Sequence, residues 1–386
     1  MDIIELYNTH VADTYARSPL VAESGVGAQI TDENGKVYID LGSGIGVNCF
    51  GVCDGEWIKA VEAQLHALQH ISNLYYTEPQ AHLAQILCEK TGMKKVFFGN
   101  SGAEANECAI KCARKYSSDK YGSGRNTIVT LINSFHGRTM ATLSATGQEA
   151  MHVHFAPFLE GFKYAPANDF AALEALCDGS VCAVMLELVQ GEGGVIALDK
   201  AYVTAAAKLC AERDLLLIID EVQTGNGRTG TLYAYMQYGI VPDIVTTAKG
   251  LAGGLPMGCA MLGEKVENTM TAGTHGSTFG GNPICAAGAL SILSRLDEKL
   301  FDEVVKKGEY IKAQLEGAKG VKSVTGLGLM LGIETAKDAK QIARECLDKG
   351  VIVLTAKSKV RLLPPLNITW EELEKAIQIL KGVIAQ

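Results

Sequence analysis

Five apolar residues in a row, Leu215-Leu216-Leu217-Ile218-Ile219, run straight into Asp220-Glu221. A strand wetted on one face alternates apolar and polar side chains. An unbroken apolar run of strand length needs both faces covered, which implies a mostly parallel sheet between layers of helix. Residues 182–188 read the same way, and further strands are expected at 95–99, 127–132, 215–220, 244–247 and 259–263. Helical patterns at 103–116 and 200–213 fall between them, giving the α/β class.

The two ends of the chain read differently from its middle. Residues 28–31 and 37–40 flank Asn34-Gly35, a hairpin signal. Strand-like stretches at 330–333 and 351–354 sit among helical patterns, and Thr369 to Glu372 spells a capping box for a final helix. With 386 residues the chain exceeds one ordinary core. The expected division is a small α/β unit built from residues 1–48 and 284–386, beside a large unit over 49–283.

The formal net charge of −8 comes without any Lys/Arg block, which argues against nucleic acid or an anionic membrane as partner. No apolar run approaches the roughly 18 residues that span a bilayer. The 11 cysteines contain no CxxC pair, and no His set completes a zinc pattern. Reduced thiols in a cytoplasmic protein, with no metal, are the expectation.

Chemistry-bearing residues recur just past the expected strand ends, where open parallel sheets bind ligands. Gly99-Asn100-Ser101-Gly102-Ala103-Glu104 joins a strand to a helix, and a helix N-terminus offers free N–H groups to an anion. Ser134-Phe135-His136-Gly137-Arg138 places an aromatic ring, an imidazole and a guanidinium together. Asp220 ends the all-apolar strand, where a carboxylate is costly without a cation or ligand. Lys249, in Thr247-Ala248-Lys249-Gly250, is a poor strand residue followed by glycines. Each has an ordinary structural reading by itself: a glycine turn, a core Phe, a capping Asp, a solvated Lys. Together they supply a phosphate cup, an aromatic plate, a carboxylate for a ring nitrogen and an amine, the set that pyridoxal phosphate requires. No GxxxxGK[ST] follows a strand, and no GxGxxG opens the first βα unit.

These blocks, with Val189-Gln190-Gly191-Glu192-Gly193-Gly194, Asp220-Glu221-Val222-Gln223-Thr224-Gly225 and His275-Gly276-Ser277-Thr278-Phe279-Gly280-Gly281-Asn282-Pro283, occur in an order that resembles the class III aminotransferases of fold type I. The resemblance spans nearly the whole chain. It implies a large domain with a mostly parallel sheet, a small α/β domain and a homodimer with shared active sites. Lys249 would carry pyridoxal 5'-phosphate as a Schiff base and shuttle the proton. Asp220 would pair with the ring nitrogen, with Phe135 and Val222 on the two ring faces and Glu187 nearby. Gln223 would bond the phenolic oxygen. Ser101, Gly102 and Ala103 would bind phosphate, as would the partner subunit's Thr278.

Within the family the likeness is greatest to enzymes that move the terminal amine of N-acetylornithine to 2-oxoglutarate in arginine biosynthesis. On that likeness Arg138 would hold the carboxylate of the acyl-ornithine-type substrate or the distal carboxylate of 2-oxoglutarate, Arg361 the α-carboxylate of glutamate, and Ser277 would join the substrate contacts. Glu192 would neutralise Arg361 when the other donor is bound. Two departures stand out. Gly51-Val52-Cys53-Asp54-Gly55 replaces the family's usual Gly-His-x-His-Pro, and 43–48 lacks the tyrosine of ornithine aminotransferases, which favours the acetylated substrate. Ornithine, succinylornithine, succinyldiaminopimelate and 4-aminobutyrate remain alternative donors. An aminomutase of the same fold is disfavoured by the Glu192/Arg361 pair, and a non-catalytic binding protein by intact Lys249 and Asp220.

Overall fold

The computed structural model describes residues 2–386. Its centre is a seven-stranded sheet in the order Lys95–Gly99, Gly258–Leu262, Ile244–Thr247, Leu216–Asp220, Val181–Leu186, Thr127–Leu131, Phe162–Ala165. Leu216–Asp220 is buried at every position, as its unbroken apolar run demands. Ile244–Thr247, Leu216–Asp220, Val181–Leu186, Thr127–Leu131 and Phe162–Ala165 pair in parallel. Gly258–Leu262 alone runs antiparallel to both its neighbours, Ile244–Thr247 and Lys95–Gly99. Two reversals cancel, so Lys95–Gly99 points the same way as the main set and delivers its carboxyl end to the same edge.

Helix Gly102–Tyr121 covers this sheet. Its buried positions Ala105, Cys108, Ala109 and Cys112 form one stripe at helical spacing. Ser101 caps it by accepting from Glu104 N at 3.2 Å. Small residues on that stripe let the helix lie close to the strands. Helix Pro283–Leu293 packs on helices Gly55–Ala67 and Glu78–Thr91 and on the short turn Lys249–Ala252, so it sits with the large unit.

The chain ends meet in two smaller sheets. Ala22–Val26, Gln29–Asp32 and Val37–Asp40 form a meander turning at Asn34-Gly35, and Val351–Ile352 adds to Val37–Asp40 in parallel. Val321–Leu327, Met330–Thr335, Lys359–Leu362 and Leu354–Ala356 make an antiparallel sheet. The single strand expected at 351–354 is therefore two. The backbone leaves one sheet after Ile352 and joins the other at Leu354, so this segment couples the N-terminal meander to the sheet that carries Arg361. The capping box at Thr369 and Glu372 forms as expected and opens helix Trp370–Ile384. Among the described residues no helix is long and apolar enough to cross a membrane.

Candidate active site

A cleft of about 440 Å³ opens at the carboxyl edge of the central sheet. Lys95–Gly99 contributes Asn100, Ser101, Gly102 and Ala103 just past its end. Thr127–Leu131 contributes Phe135, His136 and Arg138, and Val181–Leu186 contributes Glu187. Leu216–Asp220 brings Asp220, Val222 and Gln223, and Ile244–Thr247 brings Lys249; all line the one cleft.

Asp220 is 3% exposed and is held at both oxygens. Oδ1 accepts Val222 N at 3.0 Å, and Oδ2 accepts Asn106 Nδ2 and His136 Nδ1, each at 2.8 Å. Burial pulls the His136 imidazole down, but its hydrogen bond to Asp220 and that carboxylate's charge outweigh burial and leave it raised. Glu187 receives Phe135 N at 2.8 Å and Gly191 N at 3.4 Å. Burial pushes its carboxyl up to about 7.

Lys249 lies in a short turn at φ 46°, the left-handed region that a non-glycine residue enters only under constraint. Burial lowers its amine to about 8; the nearby Arg361 charge adds to that and Glu192 opposes it. A lysine so placed is partly neutral near physiological pH and can serve as nucleophile and base.

Arg361 is 3% exposed and Glu192 half-buried; they meet at 2.5 Å between Nη1 and Oε1. Arg361 Nη1 also reaches Gly191 O and Gln223 Oε1 at 3.3 Å, while Gln223 Nε2 donates to Glu192 Oε1 at 3.4 Å. Burial raises the Glu192 carboxyl, but the Arg361 guanidinium outweighs it and leaves Glu192 below its ordinary range. Arg361 Nε is buried with no hydrogen-bond partner among the described residues. The pair lies beside the cleft, joined to it through Gln223.

Arg138 is exposed, with its guanidinium 5.5 Å from the Phe135 ring centre. Ser277 stands outside the cleft and accepts Asn100 Nδ2 at 3.1 Å. Thr278 is exposed in a separate shallow hollow with His70, Asn73 and Gly281. Neither reaches the cleft of its own chain. Residues 51–54 of the departing segment border a neighbouring hollow with Trp57, Gly253 and Gly254, and Gly254 also lines the cleft.

Sequence reasoning did not assign a role to Asn106 or Thr246. Thr246 Oγ1 donates to Asn106 Oδ1 at 2.6 Å, and Asn106 in turn reaches Asp220. A signal was available: an asparagine on the Ala/Cys stripe of a buried helix face is out of place unless it is bonded.

The family description "Aminotransferase class-III" matches residues 10–384. A protein of Haemophilus ducreyi named acetylornithine aminotransferase is 51% identical, over 100% of this chain and 98% of that one. Among solved structures, N-acetylornithine aminotransferase from Stenotrophomonas maltophilia K279a is similar with a TM-score of 0.86 and 35% identity, over 99% of this chain and 98% of that one. A Toxoplasma gondii ornithine aminotransferase, described with partial occupancy of PLP at its active site, is similar with a TM-score of 0.94 and 32% identity, over 99% and 93%.

Proposed function

This chain belongs to the class-III aminotransferases, and from that premise we propose that it transfers the terminal amino group of N-acetylornithine to 2-oxoglutarate, using pyridoxal phosphate held on Lys249. The residues at the strand ends suit that cofactor. Asp220 accepts three hydrogen bonds, one short of what a carboxylate can take, and lines the cleft, so it can meet a protonated ring nitrogen. Ser101, Gly102 and Ala103 open a 20-residue helix whose N-terminal N–H groups suit a phosphate. Gly102 has no room for a side chain, since a Cβ there would lie 2.6 Å from Val222 Cγ1. Phe135 and Val222 would flank the ring, Gln223 would reach its phenolic oxygen, and Glu187 stands nearby.

Bound there, the cofactor supplies an electron-accepting ring conjugated to the amine-bearing carbon of the substrate. The chain supplies the rest. Lys249 Nζ, lowered to about 8 chiefly by burial, takes and returns the proton at that carbon. Arg361 and Arg138 clamp carboxylates bidentately.

The Arg361–Glu192 pair is the observation that carries the reading. An enzyme that handles an α-amine in one half-reaction and a terminal amine in the other needs an α-carboxylate clamp that can be turned off. A buried arginine with an acid in contact provides that. The identity of the acyl donor rests on the relatives' names and on the missing tyrosine in 43–48. The Toxoplasma gondii likeness puts free ornithine in the same test.

The proposal includes a homodimer in which the partner subunit's Thr278 completes the phosphate site. Thr278 lies outside its own cleft, next to Phe279 at 58% exposure and in a hollow also lined by Ile71, which is exposed. It also places the protein in the cytoplasm, consistent with eleven unbridged cysteines. In this reading residues 2–48 and 294–386 form the small unit and 49–293 the large one, the boundary moving from 283 because Pro283–Leu293 is seated on the large unit.

Purified enzyme tested with N-acetylornithine, ornithine, succinylornithine, succinyldiaminopimelate and 4-aminobutyrate, each with 2-oxoglutarate, decides the donor. N-acetylornithine should give the highest kcat/KM; a higher value for ornithine would remove it as the substrate.

A further inference from the structure

We infer that Asn106 is a positioning residue for the reaction: its side-chain amide brackets three elements of the sheet edge and holds the Asp220 carboxyl group fixed in register with the strand that leads to Lys249. The inference rests on the functional reading above.

Asn106 is 1% exposed and lies one turn into the helix that begins at the Ser101–Ala103 cup. Nδ2 donates to Asp220 Oδ2 and to His136 O, both at 2.8 Å. Oδ1 accepts Thr246 Oγ1 at 2.6 Å. The partners fix the amide's orientation, because a carboxylate and a carbonyl can only accept and the hydroxyl is left to donate. Both N–H donors and one of the two carbonyl lone pairs are used within the protein, so it has no donor left to bind substrate. Its effect must pass through Asp220.

Three consequences follow from where the partners lie. The helix bearing the phosphate cup is tied to Asp220, which ends Leu216–Asp220. The same amide is tied to Thr246, which pairs directly with Asp220 across the sheet and precedes Lys249 by three residues. It is also tied to the backbone of His136, whose imidazole is the other donor to the same carboxylate oxygen. One amide thus sets the spacing between the groups that would hold the two ends of the cofactor, and the spacing from both to Lys249. The titratable groups around Asp220 are His136, Lys249, Glu187 and Glu221.

The test uses the holoenzyme and three variants: Asn106→Ala, the near-isosteric Asn106→Asp, and Thr246→Val. Melting temperature, kcat and KM for both substrates, and the pH dependence of the bound cofactor's absorbance are measured for each. A lost hydrogen bond to a charged group predicts a fall in kcat of about tenfold or more and a shift of about one pH unit in the spectroscopic midpoint for both Asn106 variants. KM should stay within about twofold. Thr246→Val should move both in the same direction by less. Wild-type kcat and midpoint with only a lower melting temperature would show a purely structural asparagine and overturn the inference, as would a change confined to KM. If Asn106→Ala fails to fold, Asn106→Asp and Thr246→Val still decide. Wild-type enzyme that borohydride cannot trap on Lys249 overturns the functional reading and this inference with it. A trapped, active wild type with unaffected variants overturns the inference alone.

Discussion

Replacing Glu192 with Gln tests the substrate switch without removing side-chain volume. In the resting site Arg361 Nη1 has one charged partner, Glu192 Oε1 at 2.5 Å, and two neutral ones, Gly191 O and Gln223 Oε1 at 3.3 Å. Breaking a buried pair from one side typically costs about 3–5 kcal/mol, because the remaining charge is left uncompensated. Here the Glu192 side chain is 27% exposed and glutamine still offers an acceptor, so about 2 kcal/mol is the better figure. That is about 30-fold in an equilibrium. The guanidinium will recover this energy by holding any α-carboxylate that enters. For glutamate the result is the productive pose. For N-acetylornithine it is the wrong one, since it turns the terminal amine away from Lys249. The ratio of kcat/KM for the glutamate half-reaction to that for the N-acetylornithine half-reaction should therefore rise by about 30-fold. Single half-reactions followed by rapid-mixing absorbance give the two values separately. If Glu192→Gln slows both by the same factor, Glu192 is not a switch and the argument from the ion pair fails.

Three more outcomes follow from the geometry. Lys249→Ala should abolish borohydride trapping of the cofactor, and cofactor-free wild type should gain cofactor faster as pH rises through about 8, where the buried amine loses its proton, rather than near its ordinary 10.5. Gly102→Ala should weaken cofactor retention on dialysis while leaving the fold intact, because the new methyl would press Val222 at 2.6 Å and force the phosphate turn outward. Glu221 is fully buried, and burial raises its carboxyl from 4.5 to about 7. The folded state then binds the proton more tightly than the unfolded state, so the stabilising contribution is whole below about 4.5 and is lost as pH rises to 7. Urea unfolding of Glu221→Gln should show a gain over wild type that grows across that window to at most about 3 kcal/mol; a pH-independent difference would count against it.

What the sequence made legible was whatever burial forces on a strand and whatever chemistry forces on its end. The run before Asp220 could be read because a strand covered on both faces cannot alternate. Asp220, Lys249 and the 101–103 turn each had an ordinary structural reading, and stood out because together, at successive strand ends, they supply one chemistry. Strands with mixed exposure were less legible. Val321–Leu327 is mostly half-buried and Phe162–Ala165 lies at the edge of its sheet, so neither shows a clean period. The break at Val353 was hidden for another reason. A continuous apolar stretch says that residues are buried, not which sheet they are buried in, and only pairing with Val37–Asp40 on one side and Lys359–Leu362 on the other separates them.

Asn106 marks the same boundary from the chemical side. Its type and its place on a buried helix stripe were visible, but its meaning depends on Thr246 and Asp220, respectively 140 and 114 residues away in sequence. No local pattern encodes that meeting. The parallel register of two strands does, by bringing Asp220 level with Thr246 beneath the helix. The groups that touch a ligand announce themselves by chemistry that is out of place. The groups that hold those in position satisfy each other, and so look like ordinary core until the strands are paired. Thr246→Val is informative for that reason: it alters a side chain that nothing in the sequence singled out, and a spectroscopic shift there would show that the sheet register reaches the reacting groups.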